Sequence, residues 1–259
     1  MIDNKKINTA IRILKLAEKE AAQFNEPVEI AYSGGKDSDV LLQLAKESGI
    51  NYRAIYKNTT VDPPGTIQHV RNNNVEILQP KKSFFALVAK KGFPNRFKRF
   101  CCAELKEYKV LNVCASGVRA AESVKRAKRY TTFEACRIYS KKNRVHQFFP
   151  IFDWTLTDVS NFIADRKIQL APLYYNNGVI DCKKRLGCMA CPLKSDNGIA
   201  DMKANKAILH ALIRAGKKYI NNHAQYNFAN VYELFYANYF SMQSFYMLKG
   251  KNLFNIEYD

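Results

Sequence analysis

Residues 33–38 read Ser-Gly-Gly-Lys-Asp-Ser and join two stretches of different hydrophobic pattern. The four residues before them, Glu-Ile-Ala-Tyr, are typical of a short buried strand, and residues 39–46, Asp-Val-Leu-Leu-Gln-Leu-Ala-Lys, carry apolar side chains on one face of a helix. A strand, a glycine turn and a helix start form an anion site, because free backbone N–H groups and the positive end of the helix dipole point at the same place. Gly34 and Gly35 allow a ligand to approach the backbone closely, and Lys36 adds a full positive charge. We therefore predict that residues 33–38, the phosphate loop, bind a phosphate group of ATP.

The polar side chains of the phosphate loop suit this ligand. Ser33 and Ser38 can donate hydrogen bonds to phosphate oxygens that Lys36 neutralises. Asp37 can hold Mg²⁺ or order the loop itself. An ordinary tight turn is the alternative, but the position between a strand and a helix favours phosphate binding.

Strand and helix patterns alternate around the phosphate loop. We predict strands over residues 28–33, 52–57 and 75–78, helices over residues 5–23, 36–48, 65–72, 83–90 and 155–165, and extended segments over residues 130–150. This alternation predicts an α/β fold: a doubly wound, mainly parallel sheet with flanking helices, whose ligand site lies at the carboxyl ends of the strands.

The chain divides by pattern into an N-terminal helix (1–26), an α/β domain (27–200) and a helical C-terminal extension (201–259). The extension is rich in aromatic residues. These aromatic side chains either complete the core or form the interface of a homodimer.

The composition is that of a globular chain with an uneven charge. The 259 residues are 47% hydrophobic and carry a net charge of +18. No apolar run is long enough to span a membrane and no secretory signal is present, so we expect a cytoplasmic protein without membrane contact. Residues 81–150 hold 18 Lys and Arg against 4 Asp and Glu, a net charge of +14. Such a segment is either a solvated basic surface or a surface that binds a polyanion, DNA or RNA.

Four of the seven cysteines form two pairs, Cys101-Cys102 and Cys188-Met189-Ala190-Cys191, with 85 residues between the pairs. Disulfides are rare in cytoplasmic proteins, and the two-residue spacing of the second pair suits one metal centre. An adjacent pair fits a zinc tetrahedron poorly but can bind a larger iron–sulfur cluster. We therefore favour a [4Fe–4S] cluster, with zinc and buried free thiols as the alternatives.

The other three cysteines give weaker signals. Cys114 and Cys136 lie in strand patterns and are predicted to be core residues. Cys182 lies near the second pair and is a candidate reactive thiol, the alternative being a structural cysteine.

The phosphate loop resembles the pyrophosphate loop of the ATP-pyrophosphatase superfamily, whose members split ATP between the α- and β-phosphates and adenylate a substrate. It lacks the spacing of a Walker loop. Together with the cysteine pairs, residues 27–195 resemble the phosphoadenosine phosphosulfate (PAPS) reductase family. Further motifs carry this resemblance: Gly117-Val118-Arg119, Glu122-Ser123 with Arg126, residues 150–155, and Pro172-Leu173-Tyr174-Tyr175.

The resemblance implies roles for three residues outside the phosphate loop. Gly117 and Arg119 would line the nucleotide pocket, and Arg126 would face anionic groups of the substrate. The alternative for either arginine is a surface salt bridge, although the guanidinium fork suits phosphate. We therefore predict a catalytic set of Lys36, Asp37, Arg119 and Arg126.

Two departures from the family pattern shape the functional expectation. Sulfonucleotide reductases end in a tail with a nucleophilic cysteine, whereas this sequence has no cysteine after Cys191. Those reductases usually have a degenerate phosphate loop because they cleave no ATP, whereas here the loop is intact. The combination most resembles the PAPS-reductase-like enzyme of DNA phosphorothioation and, in logic, the cluster-dependent tRNA thiolases.

Three functions follow as hypotheses. The first is an ATP-dependent iron–sulfur enzyme that adenylates and thiolates DNA or tRNA, with Mg²⁺ and a sulfur donor such as a cysteine desulfurase. The second is reduction of PAPS or adenylyl sulfate to sulfite, with Cys182 or an external thiol in place of the tail cysteine. The third is a nucleic-acid-binding module with a structural cluster. The intact phosphate loop favours the first.

Overall fold

The computed structural model describes residues 2–130, 133–140, 143–223 and 230–239. They divide into two compact units whose segments alternate along the chain. The first unit consists of three segments, of which only the described residues are meant: the chain up to Asn58, Pro63–Gln79, and Glu107–Leu186. The second unit consists of Thr59–Asp62, Pro80–Lys106 and the described residues from Gly187 onward. The domains predicted from the sequence, residues 27–200 and 201–259, are contiguous and so differ from these interleaved units. A local sequence pattern does not reveal that distant segments share a unit. The domain ranges stay a prediction.

Helices and strands alternate through the described chain. The helices are α1 (Asn4–Ala22), α2 (Lys36–Ser48), α3 (Thr66–Asn72), α4 (Phe84–Lys91), α5 (Phe100–Leu105), α6 (Val124–Arg129), α7 (Leu156–Asp165), α8 (Ile199–Ala204), α9 (Lys206–Asn222) and α10 (Val231–Tyr239). The strands are β1 (Val28–Tyr32), β2 (Tyr52–Lys57), β3 (Glu76–Leu78), β4 (Val113–Ser116), β5 (Glu134–Ser140), β6 (Asn143–Phe148), β7 (Tyr175–Asn176) and β8 (Val179–Ile180). Short 3₁₀ turns lie at Ala120–Glu122 and Pro172–Tyr174.

Six strands of the first unit form one sheet in the order β3-β2-β1-β4-β6-β5. Neighbouring strands are parallel except β5 and β6, which form an antiparallel hairpin. The predicted α/β class with a mainly parallel sheet is therefore confirmed. The strand order reverses at β1, whose neighbours are β2 and β4, and ligands of such sheets bind at this switch point. The phosphate loop follows β1 and lies there.

The core of the first unit explains why β1 and α2 hold the phosphate loop firmly. Val28 and Ile30 of β1 are fully buried, as are Leu41 and Leu44 on the inner face of α2. Helix α1 packs its apolar stripe into the same hydrophobic cluster. Burial of these side chains fixes both elements that flank the loop, so the loop has a rigid base.

The second unit is mainly helical. Its core joins α4, α9 and α10, with Phe93, Phe235 and Tyr239 almost completely buried. The last two belong to the aromatic C-terminal extension and complete a core, which is one of the two predicted roles. The aromatic residues beyond Tyr239 lie outside the described residues. None of the described helices has the length and apolar character needed to cross a membrane.

Candidate functional site

Glycines give the phosphate loop its shape. Gly34 has φ of +74°, a left-handed conformation that a larger residue adopts only with strain. Gly117, just after β4, lies against the loop, since a Cβ atom there would be 2.8 Å from the carbonyl oxygen of Asp37. The predicted residue Gly117 therefore lies beside the phosphate loop, and its lack of a side chain permits the close approach.

Three of the four predicted catalytic residues meet at this loop. Lys36 Nζ lies 3.1 Å from Asp37 Oδ2, and Arg119 Nε lies 2.7 Å from Asp37 Oδ1. Lys36 and Arg119 are only 3% and 4% exposed, so two buried cations share one carboxylate. The pair of cations leaves a local positive charge, which an anionic ligand would neutralise. Arg119 thus takes part in a buried ion pair at the loop, not in a surface salt bridge.

The two loop serines hydrogen-bond within the loop. Ser38 Oγ donates to the carbonyl oxygen of Gly35 at 2.7 Å and accepts the N–H of Ser33 at 3.2 Å. The hydroxyl oxygens of Ser33 and Ser38 are 3.2 Å apart. Both hydroxyl groups therefore lie at the loop. Their donation of hydrogen bonds to phosphate stays a prediction.

Tyr174 is a residue at this site that sequence reasoning left without a role. Its buried hydroxyl accepts the backbone N–H of Lys36 at 3.1 Å and that of Leu186 at 3.2 Å. Burial raises the pKa of Tyr174, so the phenol stays protonated and neutral. The motif Pro172-Leu173-Tyr174-Tyr175 was the available signal, but no spacing rule connects it to the loop.

A buried polar network lies at the start of α2. Asp39 Oδ1 accepts a hydrogen bond from the hydroxyl of Tyr32 and lies 2.9 Å from Nε2 of His69. Burial and the negative charge of Asp39 raise the pKa of Tyr32, which keeps this hydroxyl a donor. Asp39 Oδ2 is buried without a hydrogen-bond partner among the described residues. The network ties α2 to β1 and α3 beside the phosphate loop.

The phosphate loop opens into a cleft of about 280 Å³. The cleft includes an ion pair of Arg185 and Glu122, at 3.1 Å. Arg126, the fourth predicted catalytic residue, belongs to α6, and its side chain lies outside the described residues. The other lining residues come from the ends of β1 and β4, the loop itself and the segment around Tyr174.

The second unit gathers the four paired cysteines around one cavity, here called the cysteine cavity. Cys101 and Cys102 come from α5, and Cys188 and Cys191 come from the turn before α8. None of the four is in a disulfide, and all four are partly buried. The rest of the cavity wall is mostly apolar and includes Val61, Phe84, Pro94, Leu105 and Met189. Within the described residues, no group of three or more His, Cys, Asp or Glu side chains could hold a single metal ion.

Backbone contacts shape the Cys188–Cys191 turn. Ala190 has φ of +53°, and its N–H donates to Asp201 Oδ2 at 2.9 Å. The N–H of Met189 donates to the carbonyl oxygen of Val61 at 2.7 Å. Gly198 packs against the turn so closely that a Cβ atom there would lie 2.5 Å from the carbonyl carbon of Ala190. The turn is therefore fixed from both sides.

The electrostatics of the cysteine cavity reflect crowded thiols and one cation. A hydrogen bond with Cys102, burial, and the nearby Cys188 and Cys191 together raise the pKa of the Cys101 thiol. Burial alone would lower the pKa of Lys106, but the nearby Cys188 and Asp62 outweigh it and raise that pKa. From the sequence, Lys106 is only one of the 18 Lys and Arg residues of the basic segment 81–150, whereas in the structure it lines the cysteine cavity.

The remaining cysteines differ in their surroundings. Cys114 is buried in β4, as predicted. The prediction that Cys136 is a core residue is wrong: it is exposed on β5, which lies at one edge of the sheet that the described strands form. Cys182 is partly buried against the hydrophobic core of the first unit.

The basic segment 81–150 is divided between the units. Its first part, up to Lys106, belongs to the second unit and the rest to the first. Arg99 and the three residues before it form an exposed stretch in the second unit. Whether this segment binds a polyanion stays a prediction.

Comparison with known proteins gives one clear family match. The model of the phosphoadenosine phosphosulfate reductase domain matches residues 27–194. An uncharacterized protein of Methanocaldococcus jannaschii is 26% identical over 200 residues, which cover 71% of this chain and 46% of that protein. The chain thus spans about half the length of the curated relatives it matches.

Two solved structures show distant likeness. A phosphoadenylyl-sulfate reductase from Candida auris has a TM-score of 0.44 at 16% identity, covering 65% of this chain and 86% of that one. The U34-tRNA thiolase NcsA from Methanococcus maripaludis, solved with its [4Fe-4S] cluster, has a TM-score of 0.41 at 14% identity, covering 99% of this chain and 86% of that one. Likeness at this level says nothing about activity.

Proposed function

This chain belongs to the phosphoadenosine phosphosulfate reductase domain family, and we propose that it is an ATP-dependent iron–sulfur enzyme that adenylates and thiolates a nucleic acid. The observation that carries the proposal is the phosphate loop, in which Lys36 and Arg119 are buried against one carboxylate, Asp37. The loop supplies a buried lysine and the hydroxyl groups of Ser33 and Ser38, side chains that suit a pyrophosphate. These features support ATP as a substrate that is cleaved.

Asp37 holds the two cations in place before ATP arrives. When the triphosphate enters, Lys36 and Arg119 donate part of their hydrogen bonds to its oxygens. Asp37 would then hold Mg²⁺, whose charge would help to neutralise the phosphates. An oxygen of the acceptor then attacks the α-phosphorus, and pyrophosphate leaves with its added negative charge stabilised by the cations. The acceptor oxygen now carries AMP.

The second step replaces the activated oxygen with sulfur. A sulfur nucleophile from an external donor, such as a persulfide supplied by a cysteine desulfurase, attacks the atom that bears the adenylated oxygen, and that oxygen leaves as part of AMP. The sulfur–sulfur bond of the persulfide is then cleaved by a second thiol, so that the donor is released in a disulfide and the acceptor keeps the sulfur.

The cysteine cavity fits a [4Fe–4S] cluster in its donor set. A cluster takes one thiolate per iron atom, so its ligands surround a volume, as Cys101, Cys102, Cys188 and Cys191 do. The apolar wall would shield it from water, and Lys106 would offset its negative charge. When bound, such a cluster supplies a soft, redox-active site suited to handling sulfur.

The acceptor is proposed to be a nucleic acid because of the basic segment. Its net charge of +14 exceeds what a small nucleotide substrate would require. DNA and tRNA are the two candidates, and the experiment below separates them.

The test is anaerobic purification, an iron and sulfide assay, and measurement of pyrophosphate release from ATP with DNA or with tRNA. We expect a cluster-like visible spectrum and pyrophosphate release that one of the nucleic acids stimulates. Absence of iron would remove the sulfur chemistry from the proposal. ATP left intact in the presence of both nucleic acids would remove the adenylation.

A second candidate function is favoured by the family match itself: reduction of PAPS or adenylyl sulfate. It predicts sulfite release from labelled sulfonucleotide with thioredoxin and no pyrophosphate release. If neither product appears but nucleic acid binds with a steep salt dependence, a binding module with a structural cluster is the better description.

A further inference from the structure

Phe97 is the most exposed large hydrophobic side chain among the described residues. It is 97% exposed, whereas the other exposed aromatic side chains, Phe24 and Phe133, are 46% and 37% exposed. An aromatic ring that contacts almost nothing contributes little to the stability of its own unit. Such a residue in the second unit points to an external contact.

The exposure of Phe97 results from a defined turn. Asn95 Oδ1 accepts the backbone N–H of Phe97 at 2.9 Å and that of Lys98 at 2.7 Å. The N–H of Asn95 donates to the carbonyl oxygen of Lys98 at 3.2 Å, which closes the turn. Arg96 contacts the carbonyl oxygen of Lys194 and Oδ1 of Asn197, at 3.3 Å each. The turn, here called the Phe97 turn (residues 95–98), therefore holds the ring outward.

Positive charge surrounds this ring. Arg96, Lys98 and Arg99 are exposed on either side of it. The segment 80–106 holds eight Lys and Arg and a single acidic residue, Glu104. A ring flanked by cations matches a chain of phosphates with bases between them, because the ring can stack on a base while the cations contact the phosphates.

The Phe97 turn also lies close to the cysteine cavity in the same unit. Pro94 and Cys101, three residues before and four residues after Phe97, both line that cavity. The Cα atoms of Phe97 and Pro94 are therefore at most about 11 Å apart, the length of three extended residues. A nucleotide stacked on Phe97 would be near the thiols.

We propose that Phe97 stacks on an unpaired base of a single-stranded segment of nucleic acid and guides that segment toward the cysteine cavity. The inference rests on the proposed function for the presence of a nucleic-acid acceptor, and it adds that the acceptor is bound through unpaired nucleotides. Duplex ends would be poor ligands, because their bases are already stacked and paired.

The test is fluorescence anisotropy of a labelled oligonucleotide, as single-stranded RNA, single-stranded DNA or duplex, with the full-length, anaerobically purified chain and no ATP. We expect the single-stranded forms to bind more tightly than the duplex. Phe97→Ala should weaken that binding about 5- to 150-fold, the loss of one base–aromatic stack. Phe97→Tyr should stay close to wild type, whereas Phe97→Leu should resemble Phe97→Ala, because leucine is apolar but cannot stack.

Phe24→Ala, which removes an exposed aromatic ring of the first unit, is the matched control and should leave binding unchanged. A second measurement uses the wild-type chain: photo-crosslinking with an oligonucleotide that contains 5-iodouracil should label the peptide with Phe97. Tighter binding of duplex, full binding by Phe97→Ala, or binding by Phe97→Leu equal to that of Phe97→Tyr would each overturn the inference. Because ATP is absent, loss of pyrophosphate release in a separate assay would count against the proposed function alone.

Discussion

The phosphate loop and the cysteine cavity differ in how the chain assembles them and in the charges that each site contains. The loop comes from six consecutive residues, and its Asp37 pairs with two buried cations, Lys36 of the loop and Arg119 from the segment after β4. The cavity combines two cysteine pairs that are 85 residues apart in sequence, and the neighbours that raise the pKa of Cys101 are other thiols. The loop therefore keeps one uncompensated positive charge that suits an anion, whereas the crowded thiols of the cavity would be stabilised by a cationic centre.

This contrast implies that the two sites can be disabled separately. A change in the phosphate loop should remove nucleotide chemistry and leave iron binding intact. A change in the cysteine cavity should do the reverse. The predictions that follow test this separation, beginning with the largest effect.

Lys36→Ala should lower pyrophosphate release about 10²- to 10³-fold, as expected for loss of one charge-stabilising group. The iron and sulfide content should stay at the wild-type level, because the cysteines belong to the other unit. Lys46→Ala removes an exposed lysine from the last turn of the same helix and serves as the control. Wild-type turnover by Lys36→Ala would show that the loop does not act on ATP.

Cys102→Ser should remove most of the iron and sulfide, since a cluster loses one of its four thiolates. ATP binding to the phosphate loop, followed by calorimetry, should be unaffected. Cys114→Ser replaces a buried cysteine in β4 and should keep the cluster. Equal iron content in these two variants would contradict the assignment of the cysteine cavity.

The same contrast explains what could be predicted from sequence. The phosphate loop was predictable because its backbone turn and its charges are contiguous, so a local pattern contains most of the site. The gathering of the four cysteines at one cavity was predictable, since two cysteine pairs at metal-ligand spacing indicate a shared site without stating its location. Their binding of a cluster stays a prediction. The predicted bounds of β2 and α2 agree with those in the structure, because the hydrophobic periodicity of these segments is regular.

Side chains that support the two sites could not be predicted. Tyr174 accepts N–H groups from Lys36 and Leu186, a contact that depends on the folding of distant segments. Lys106 looked like one surface cation among many until the fold placed it beside Cys188. Cys136 shows the reverse error, because a strand pattern does not reveal which strand lies at the sheet edge.

Gly198→Ala should destabilise the Cys188–Cys191 turn. Gly198 has φ of +77°, and the Cβ of an alanine there would lie 2.5 Å from the carbonyl carbon of Ala190. The conformational strain of an alanine at this φ and the steric clash with the backbone would therefore both lower the stability. Gly178→Ala is matched in φ, at +81°, but has nothing within 4 Å and isolates the strain. We expect a loss of about 1–2 kcal/mol for Gly178→Ala and a clearly larger loss for Gly198→Ala in urea unfolding. Equal losses would mean that the turn moves aside freely.

The smallest expected effect compares one helix-capping carboxylate from each unit. Asp158 caps α7 and pairs with Lys6 at 2.5 Å, and Asp196 accepts N–H groups at the start of α8. Although burial opposes it, hydrogen bonding to Lys6 and Thr155 lowers the pKa of Asp158, and hydrogen bonds from backbone N–H groups lower that of Asp196. A carboxylate with a lowered pKa stabilises the fold above its ordinary pKa, and the contribution is lost as pH falls through the lower folded value.

Asp158→Ala and Asp196→Ala should each cost about 1 kcal/mol at neutral pH, and the difference from wild type should shrink below about pH 4. A difference that stays constant down to pH 2 in urea unfolding would mean that neither carboxylate contributes through its charge.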